Sequence, residues 1–470
     1  MTRGLHWFRN DLRLRDNTAL AALFARSEAW LPVFVIDRRV MGGPAGGGPR
    51  SHFLLDCLGR LAADLERRGV PLRVCEGRPE DALPRLMHET GARLVSWNED
   101  TTPFATRRDH AVRRAVERAR GQVLTRLDHV VYGASEIRTA AGGPYSVYSP
   151  YRRRWWARWG REPRLPARMP PMPPPIAGAA ADPLPEPGAL GLGSAALELP
   201  TGGEDAAHRR LARFLASAAG RYHEDRHRPD LDGTSRLSPY LRFGALSVRQ
   251  CIASAEEAQL ADPRARRGLE KWMDELVWRE FYAAVLEEHP RVLRESHRRE
   301  YDGMAWNDDA EGFEAWCEGR TGYPMVDAGM RQLRETGWMH NRVRMIVASF
   351  LVKDLLIDWR EGERFFFERL VDGDPASNNG GWQWAASTGT DPQPYFRIFH
   401  PVSQGRRWDP DGSYVRRFVP ELRGVAGADL HEPWEAVRPP ADYPPPIVDH
   451  AERRAQALER FREAREGAHR

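Results

Sequence analysis

An open, doubly wound parallel α/β domain followed by an all-α domain is the fold class that this 470-residue sequence predicts. Three observations predict it. Short apolar runs alternate with helical stretches over the first 130 residues, ten prolines crowd between Pro163 and Pro187, and beyond about residue 205 the apolar spacing is helical almost throughout. A chain of this length exceeds one ordinary core, so two or three domains are expected.

The runs GLHWF, LPVFVI, PLRVC, ARLVSW and GQVLTRL are read as strands, with helices near 17–28, 51–68, 80–90 and 104–120 between them. That alternation calls for a parallel, Rossmann-like sheet covered on both faces over residues 1–130, with room for a ligand at the strands' carboxyl ends. The loop after the first strand, RNDLRLRDN, lacks the GxGxxG dinucleotide fingerprint. Residues 131–204 form a linker, because MPPMPPPIAGAAADPLPEP can neither hold a helix nor pair as a strand. Residues 205–470 form the helical domain, broken at RHRPDLDGTSRLSP, HPRVLRESHR, RTGYP and VDGDPASNNGG and ending in a charged helix from His450.

With 41% hydrophobic and 29% charged residues, the chain has no apolar run near the roughly 18 residues of a membrane span. Its start turns charged within ten residues and lacks the apolar core of a secretory signal. Four separated cysteines without a CxxC pair predict buried thiols in a reducing cytoplasm and no metal centre. A net charge of +4 does not by itself indicate nucleic acid, so any basic surface must be local. Sixteen tryptophans exceed what packing usually needs, and such rings also serve stacking and wet interfaces.

Several stretches could do chemistry. In KWMDELVWREFYAAV, Glu275, Trp278, Arg279 and Tyr282 fall at i, i+3, i+4 and i+7 on one helix face. A carboxylate, a guanidinium and two rings make a poor core stripe and suit a cavity wall, with a tertiary ion-pair network as the alternative. Asn341, Arg344, Met345 and Ala348 repeat that pattern, while Val343, Ile346, Val347 and Phe350 supply core. GTSRLSP, residues 233–239, offers hydroxyls and an Arg before a helix, as an anion site or plain caps. VDGDPASNNGGWQW is either a structural turn or a wall for a polar heterocycle, and its aspartates lack a third ligand for a metal. YRRRWWARW is read as an amphipathic helix with solvated arginines, in preference to a nucleic-acid stacking platform.

Taken together, WFRNDLRLRDN, GTSRLSP, WMDELVWREFY, TGYPMVDAGMRQL, GWMHNRVRMIVASFLVKDLLIDW and DGDPASNNGGWQWAASTGTDPQPYFRIFHP resemble the cryptochrome/photolyase family, most closely its class I cyclobutane pyrimidine dimer photolyases. The resemblance implies light-driven repair of ultraviolet-damaged DNA by a non-covalent FAD, active when reduced, in a monomer needing no obligate protein partner. Tyr222, Thr234, Ser235, Arg236, Leu237 and Ser238 match positions around the FAD phosphates and ribityl chain. Trp272, Glu275, Arg279, Tyr282, Trp338 and Asn341 match further contacts, and Arg344, Asp372, Asp374 and Asn378 match the isoalloxazine surround, with Arg344 pairing Asp372. Glu275, Asn341 and Asn378 are implied in catalysis, as are Trp382, Trp359 and Trp306 as an electron-transfer chain. Trp278, Met345 and Trp384 would wall the flipped lesion, and Arg226, Arg342, Arg397 and Gln404 would meet DNA phosphates, with Arg406 and Arg407 as additions.

The first domain would hold an antenna chromophore. WNEDTTPFATRRD has Phe104 and Ala105 where methenyltetrahydrofolate binders have Asn and Glu, so an 8-hydroxy-deazaflavin is favoured, near Phe34, Asp37 and Asp100. Pro375 replaces the family's usual aliphatic residue and could shift the Asn378 loop. Rival readings are a cryptochrome-type light receptor, a (6-4) photoproduct enzyme, for which His340 lacks a second histidine beside it, and a non-catalytic helical DNA-binding protein.

Overall fold

The structure is a computed structural model that describes residues 2–41, 48–193, 197–391, 397–427 and 429–468. The elements run β1 (Arg3–Phe8), α1 (Thr18–Phe24), β2 (Ala29–Ile36), α2 (Arg38–Met41), α3 (Pro49–Glu66), β3 (Arg73–Glu76), α4 (Pro79–Thr90), β4 (Leu94–Glu99), α5 (Pro103–Arg118), β5 (Gln122–Leu127) and α6 (Tyr148–Trp159). Helices follow: α7 (Glu204–Ser217), α8 (Tyr222–Asp225), α9 (Ser238–Arg242), α10 (Val248–Ala261), α11 (Arg266–Glu288), α12 (Ala310–Glu318), α13 (Pro324–Thr336), α14 (Asn341–Ser349), α15 (Trp359–Arg369), α16 (Pro375–Ala386), α17 (Pro401–Trp408), α18 (Ser413–Phe418) and α19 (His450–Gly467). The chain divides into two compact units, one comprising 1–145, 150–220 and 235–290, the other 146–149, 221–234 and 291–470.

In the first unit the five strands form one parallel sheet in the order β3-β2-β1-β4-β5. The order reverses between β1 and β4, so the carboxyl ends of those strands flank the crevice where ligands of such sheets sit. The loop after β1 is structural. Arg13 pairs with Asp128 at 2.5 Å, and Arg249 with Asp128 at 2.7 Å and Asp16 at 3.1 Å, all four almost fully buried. Burial pushes the Asp128 carboxyl up, but Arg13 and Arg249 overcome it and hold Asp128 well below the usual carboxylate range. Mutual pairing of this kind lets buried charges persist.

Three local expectations change. The Pro-rich connector does pair: Trp30 donates its N–H to Pro174 O and receives that of Ile176, at 3.0 and 2.9 Å. Prolines still accept, and Ile176 supplies the one donor needed while burying its side chain in the sheet core. The α6 arginines are only partly solvated, since Arg152 pairs with Asp274 at 2.5 Å and Arg158 with Glu136 at 3.1 Å. The Trp155, Trp156 and Trp159 indoles donate to Glu280, Asp274 and Glu256. Of the four cysteines, all free thiols, Cys57 and Cys251 are buried while Cys75 and Cys317 are half-buried.

The described residues of the second unit contain helices and no strand. A core of α13, α14, α15, α16 and α18 side chains surrounds Trp316, Trp359 and Trp382. The expected break at VDGDPASNNGG ends early, because PASNNGGWQWAA forms α16. Asp374 caps it by accepting from Ser377 N at 2.9 Å, and Pro375 occupies the first helical position, where its missing N–H matters least. Asn379 and Gln383 donate to Val292 O, each at 2.9 Å, so tertiary bonds override the weak propensity of Asn and Gly. The Asn378 helix therefore starts cleanly despite Pro375.

Candidate functional site

The first unit presents the α11 face. Glu275, Trp278, Arg279 and Tyr282 are half-buried, while Trp272, Met273, Leu276, Val277, Glu280 and Phe281 on the same helix are buried. Trp278 and Tyr282 rings lie 5.5 Å apart, and Lys271 Nζ sits 3.6 Å from the Glu275 carboxylate. Arg279 donates to His129 O and Leu241 O, which tethers α11 to neighbouring loops. Trp272 packs against Phe214 at 5.1 Å.

The 235–238 segment belongs to this unit and is not an ordinary cap. Leu237 occupies the cap position of α9 without a side-chain bond, Ser238 is exposed, and Arg236 has φ 49°. An arginine in the left-handed region is uncommon and strained. Arg210 Nε donates to Ser235 O at 2.8 Å.

The second unit gathers the other set. Tyr222 is buried under the Arg226 guanidinium, 5.7 Å from its ring, and Thr234 is half-buried. Arg344 pairs with Asp372 at 2.9 Å, as expected, and donates through Nε to Met339 O at 2.8 Å. This fixes the 372–374 turn against the start of α14, where Trp338, Asn341 and Met345 lie. Asn378 Nδ2 donates to Glu363 O at 2.9 Å and approaches Glu363 Oε1 at 3.4 Å. Burial pushes the Glu363 carboxyl up to about 7, against bonds from Asn378 and Asn379. With the amide hydrogens directed to Glu363, the Asn378 oxygen is the atom left to accept from a ligand N–H. Glu363 escaped sequence reasoning because it lies 15 positions away on another helix.

The paired tryptophans of α16 face different ways. Trp382 is buried, packed on Phe366 at 5.0 Å and Trp316 at 6.1 Å, whereas Trp384 is half-buried beside Phe399 at 6.5 Å. Gly362 makes room for Trp382: a Cβ there would lie 2.2 Å from its ring. Trp359 is fully buried at the start of the same helix α15, and its Nε1 has no hydrogen-bond partner among the described residues. Trp306 is half-buried against Phe461 at 6.2 Å.

Arg226, Arg342, Arg397 and Arg407 cluster in the second unit. Burial, and then repulsion by Arg226, Arg407 and Arg397, lowers the Arg342 guanidinium to about 10. Arg397 lies over Phe399, and Arg406 pairs with Glu432 at 2.5 Å. Residues 392–396, inside the last motif, lie outside the described residues.

At the sheet's carboxyl edge, Phe34 is buried at the end of β2 and Asp37 follows it, held by Arg39 at 2.6 Å. Asp100 follows β4; burial would raise its carboxyl, but His129, Arg9, the Thr102 amide and Arg108 lower it to about 2. Arg39 and Arg108 lie over the Phe104 ring at 5.6 and 5.7 Å.

A parallel-sheet unit and a helical unit thus each present a set of half-buried polar and aromatic groups. Residues 4–174 match the family model for DNA photolyase, and residues 272–463 match that for the FAD binding domain of DNA photolyase. The chain is 42% identical over 483 residues to the deoxyribodipyrimidine photo-lyase of Halobacterium salinarum, covering 98% of this chain and 99% of that protein. A bacterial class III photolyase from Agrobacterium tumefaciens superposes with a TM-score of 0.92 at 38% identity, over 99% of this chain and 98% of that one. A Synechocystis cryptochrome superposes at 0.86 with 27% identity, over 98% and 99%. The chain belongs to the photolyase/cryptochrome family.

Proposed function

We propose that this protein is a deoxyribodipyrimidine photo-lyase of class I, repairing cyclobutane pyrimidine dimers in DNA with FAD and light. The observation that supports it most is near-full-length identity to enzymes of that name, 42% over 98% of the chain. Class I membership rests on the motif resemblance alone, beside a comparably similar class III structure.

The residues fit the cofactor chemically. Hydroxyls not spent on capping α9, with Arg236 beside them, suit an anionic phosphate chain. The Arg344–Asp372 pair and the Asn378 oxygen suit the polar edge of a fused heterocycle, and an accepting amide favours a ring nitrogen bearing hydrogen. The chemistry that FAD supplies when bound and reduced is a light-driven electron, lent to the dimer and recovered after its cyclobutane ring opens. The protein's own part is position and electrostatics. The family resemblance assigns Trp278, Trp384 and Met345 to the apolar contacts of an extruded dimer, and Glu275 and Asn341 to its carbonyl edges. Trp382, Trp359 and Trp306 pass electrons inward from the surface. Arg226, Arg342, Arg397 and Gln404 take flanking phosphates, a role that positions DNA of any sequence.

The antenna in this reading is an 8-hydroxy-deazaflavin near Phe34, Asp37 and Asp100, and chromophore extracted from the purified protein identifies it by absorbance. The experiment for the function is repair of a dimer-containing oligonucleotide by reduced protein under blue light. Restoration of intact thymines in light and not in darkness is expected. Flavin-loaded protein that binds the oligonucleotide but leaves the dimer intact in light would overturn repair in favour of the light-receptor reading.

A further inference from the structure

Trp408, the last residue of α17, is half-buried and was not singled out by the motifs. Two guanidinium groups lie over its indole, Arg342 at 4.9 Å and Arg407 at 4.5 Å from the ring centroid. The His227 ring packs on it at 4.8 Å, and Arg342 Nη2 lies 2.8 Å from His227 Nδ1. A guanidinium only donates, so that contact requires Nδ1 to accept. Gln404 Oε1 accepts from Trp408 Nε1 at 3.1 Å, which fixes the indole by its edge.

The support behind the ring is rigid. Asp409, fully buried, accepts from Tyr414 N at 3.0 Å and Val415 N at 2.9 Å, and its own carbonyl accepts from His431 Nε2 at 2.9 Å. The charges above the ring are unbalanced. Among the described residues no carboxylate pairs with Arg342 or Arg407, and the buried Arg342 Nε has no hydrogen-bond partner. Arg228 nearby is neutralised by Asp230 at 2.6 Å and lies 3.7 Å from Asp411. Like charges held together without a counter-ion repel one another, and an arriving anion relieves that repulsion.

We propose that Trp408, backed by His227 and Gln404, is a positioning platform that holds Arg342 and Arg407 ready for DNA backbone phosphates, and so sets affinity for DNA without touching the lesion. Stacking on an indole suits the planar guanidinium and holds its donor fork in one orientation. A residue acting in this way changes how many phosphates are neutralised, whereas a merely structural one does not. The inference rests on the photolyase reading.

The test titrates flavin-loaded wild type, Trp408→Ala and Trp408→Phe with a duplex holding one thymine dimer and with the same duplex undamaged, from about 0.05 to 0.3 M salt. Trp408→Ala is expected to weaken both duplexes by the same factor, about five- to tenfold at low salt. It should also flatten the slope of log affinity against log salt by about 1 to 2. Its effect on repair falls on KM rather than kcat, and Trp408→Phe, which keeps an aromatic face, recovers most of the loss. An unchanged slope overturns the platform, as does a loss confined to damaged DNA or a loss explained by lower flavin content. Should Trp408→Ala not fold, His227→Ala decides: a slope flattened by about 1 supports the platform, and an unmoved slope overturns it. Wild type that binds neither duplex overturns the photolyase reading itself, whereas wild-type binding with an unmoved variant slope overturns the platform alone.

Discussion

Replacing Glu280 by Gln removes a titratable carboxyl from the buried side of α11 with almost no change in volume. Glu280 is 1% exposed, and its carboxylate accepts from Val131 N at 2.5 Å, Trp155 Nε1 at 2.7 Å and Tyr132 N at 3.4 Å. Burial pushes the carboxyl from 4.5 up to about 7, and the three donors limit the rise. Between those values the folded protein holds a proton that the unfolded chain has released. Stability therefore falls as pH rises through that window, by about 1.4 kcal/mol per unit, and this contribution is flat above it. From about pH 5 to about pH 8 the loss from this group is roughly 2 to 3 kcal/mol. Gln keeps one acceptor but sets an amide N–H among the same donors, a mismatch worth about 1–3 kcal/mol at every pH. The variant is thus expected to be the less stable protein at pH 5 and to draw level with, or pass, wild type by pH 8. Urea unfolding of the flavin-loaded proteins, followed by far-ultraviolet circular dichroism across that range, measures the difference directly. Parallel pH profiles for the two proteins would refute the assignment of a buried, proton-holding Glu280.

Trp382→Phe should stop photoreduction of bound FAD while sparing repair by chemically pre-reduced protein; photoreduction at the wild-type rate removes Trp382 from the chain. Gly362→Ala places a methyl 2.2 Å from the Trp382 ring, so a loss of about 1–3 kcal/mol and slower photoreduction are expected. Wild-type values for both in a folded Gly362→Ala protein would show that Trp382 is not seated on α15. Glu275→Ala and Trp278→Ala should each lower light-driven repair about tenfold or more with FAD retained. Wild-type rates in either variant discard its assigned role.

What was legible in the sequence is what a short spacing encodes. Glu275, Trp278, Arg279 and Tyr282 share a face because helix geometry alone puts them there, and the parallel sheet followed from alternating runs. The first half of α16 reads as a break in the sequence because Pro, Ser, Asn and Gly are individually poor helix formers. What holds it helical, Asp374 at its cap and the Val292 carbonyl, is set by tertiary placement. Glu363 behind Asn378, and His227 against Trp408 across 181 positions, leave no periodic trace, and neither residue type is unusual where it stands. The loop after β1 carries no fingerprint that the sequence could assign, and its Arg13 and Asp16 prove to be spent on a buried charge network whose partners, Asp128 and Arg249, lie more than 100 positions away.

The distribution of the two cation types ties the site to its scaffold. Of 70 basic residues only Lys271 and Lys353 are lysines. Lys353 is fully buried in a π-helical turn, donating to Ala386 O at 3.2 Å and Ser387 Oγ at 2.9 Å with the Phe461 ring 4.0 Å from its ammonium. Burial drives that ammonium well below the usual lysine range, against the attraction of Asp354. Its three donors meet a helix-end carbonyl, the hydroxyl of a residue at φ 63° and an aromatic face, a convergence that suits a compact tetrahedral head and not a flat fork. The helix so anchored is α16, which bears Asn378, Trp382 and Trp384, and the other lysine faces Glu275 on α11. Arginines occupy both settings: Arg13 and Arg249 are spent in the buried network with Asp16 and Asp128, while Arg342 and Arg407 lie over Trp408 with no carboxylate partner among the described residues, free to offer a phosphate parallel donors.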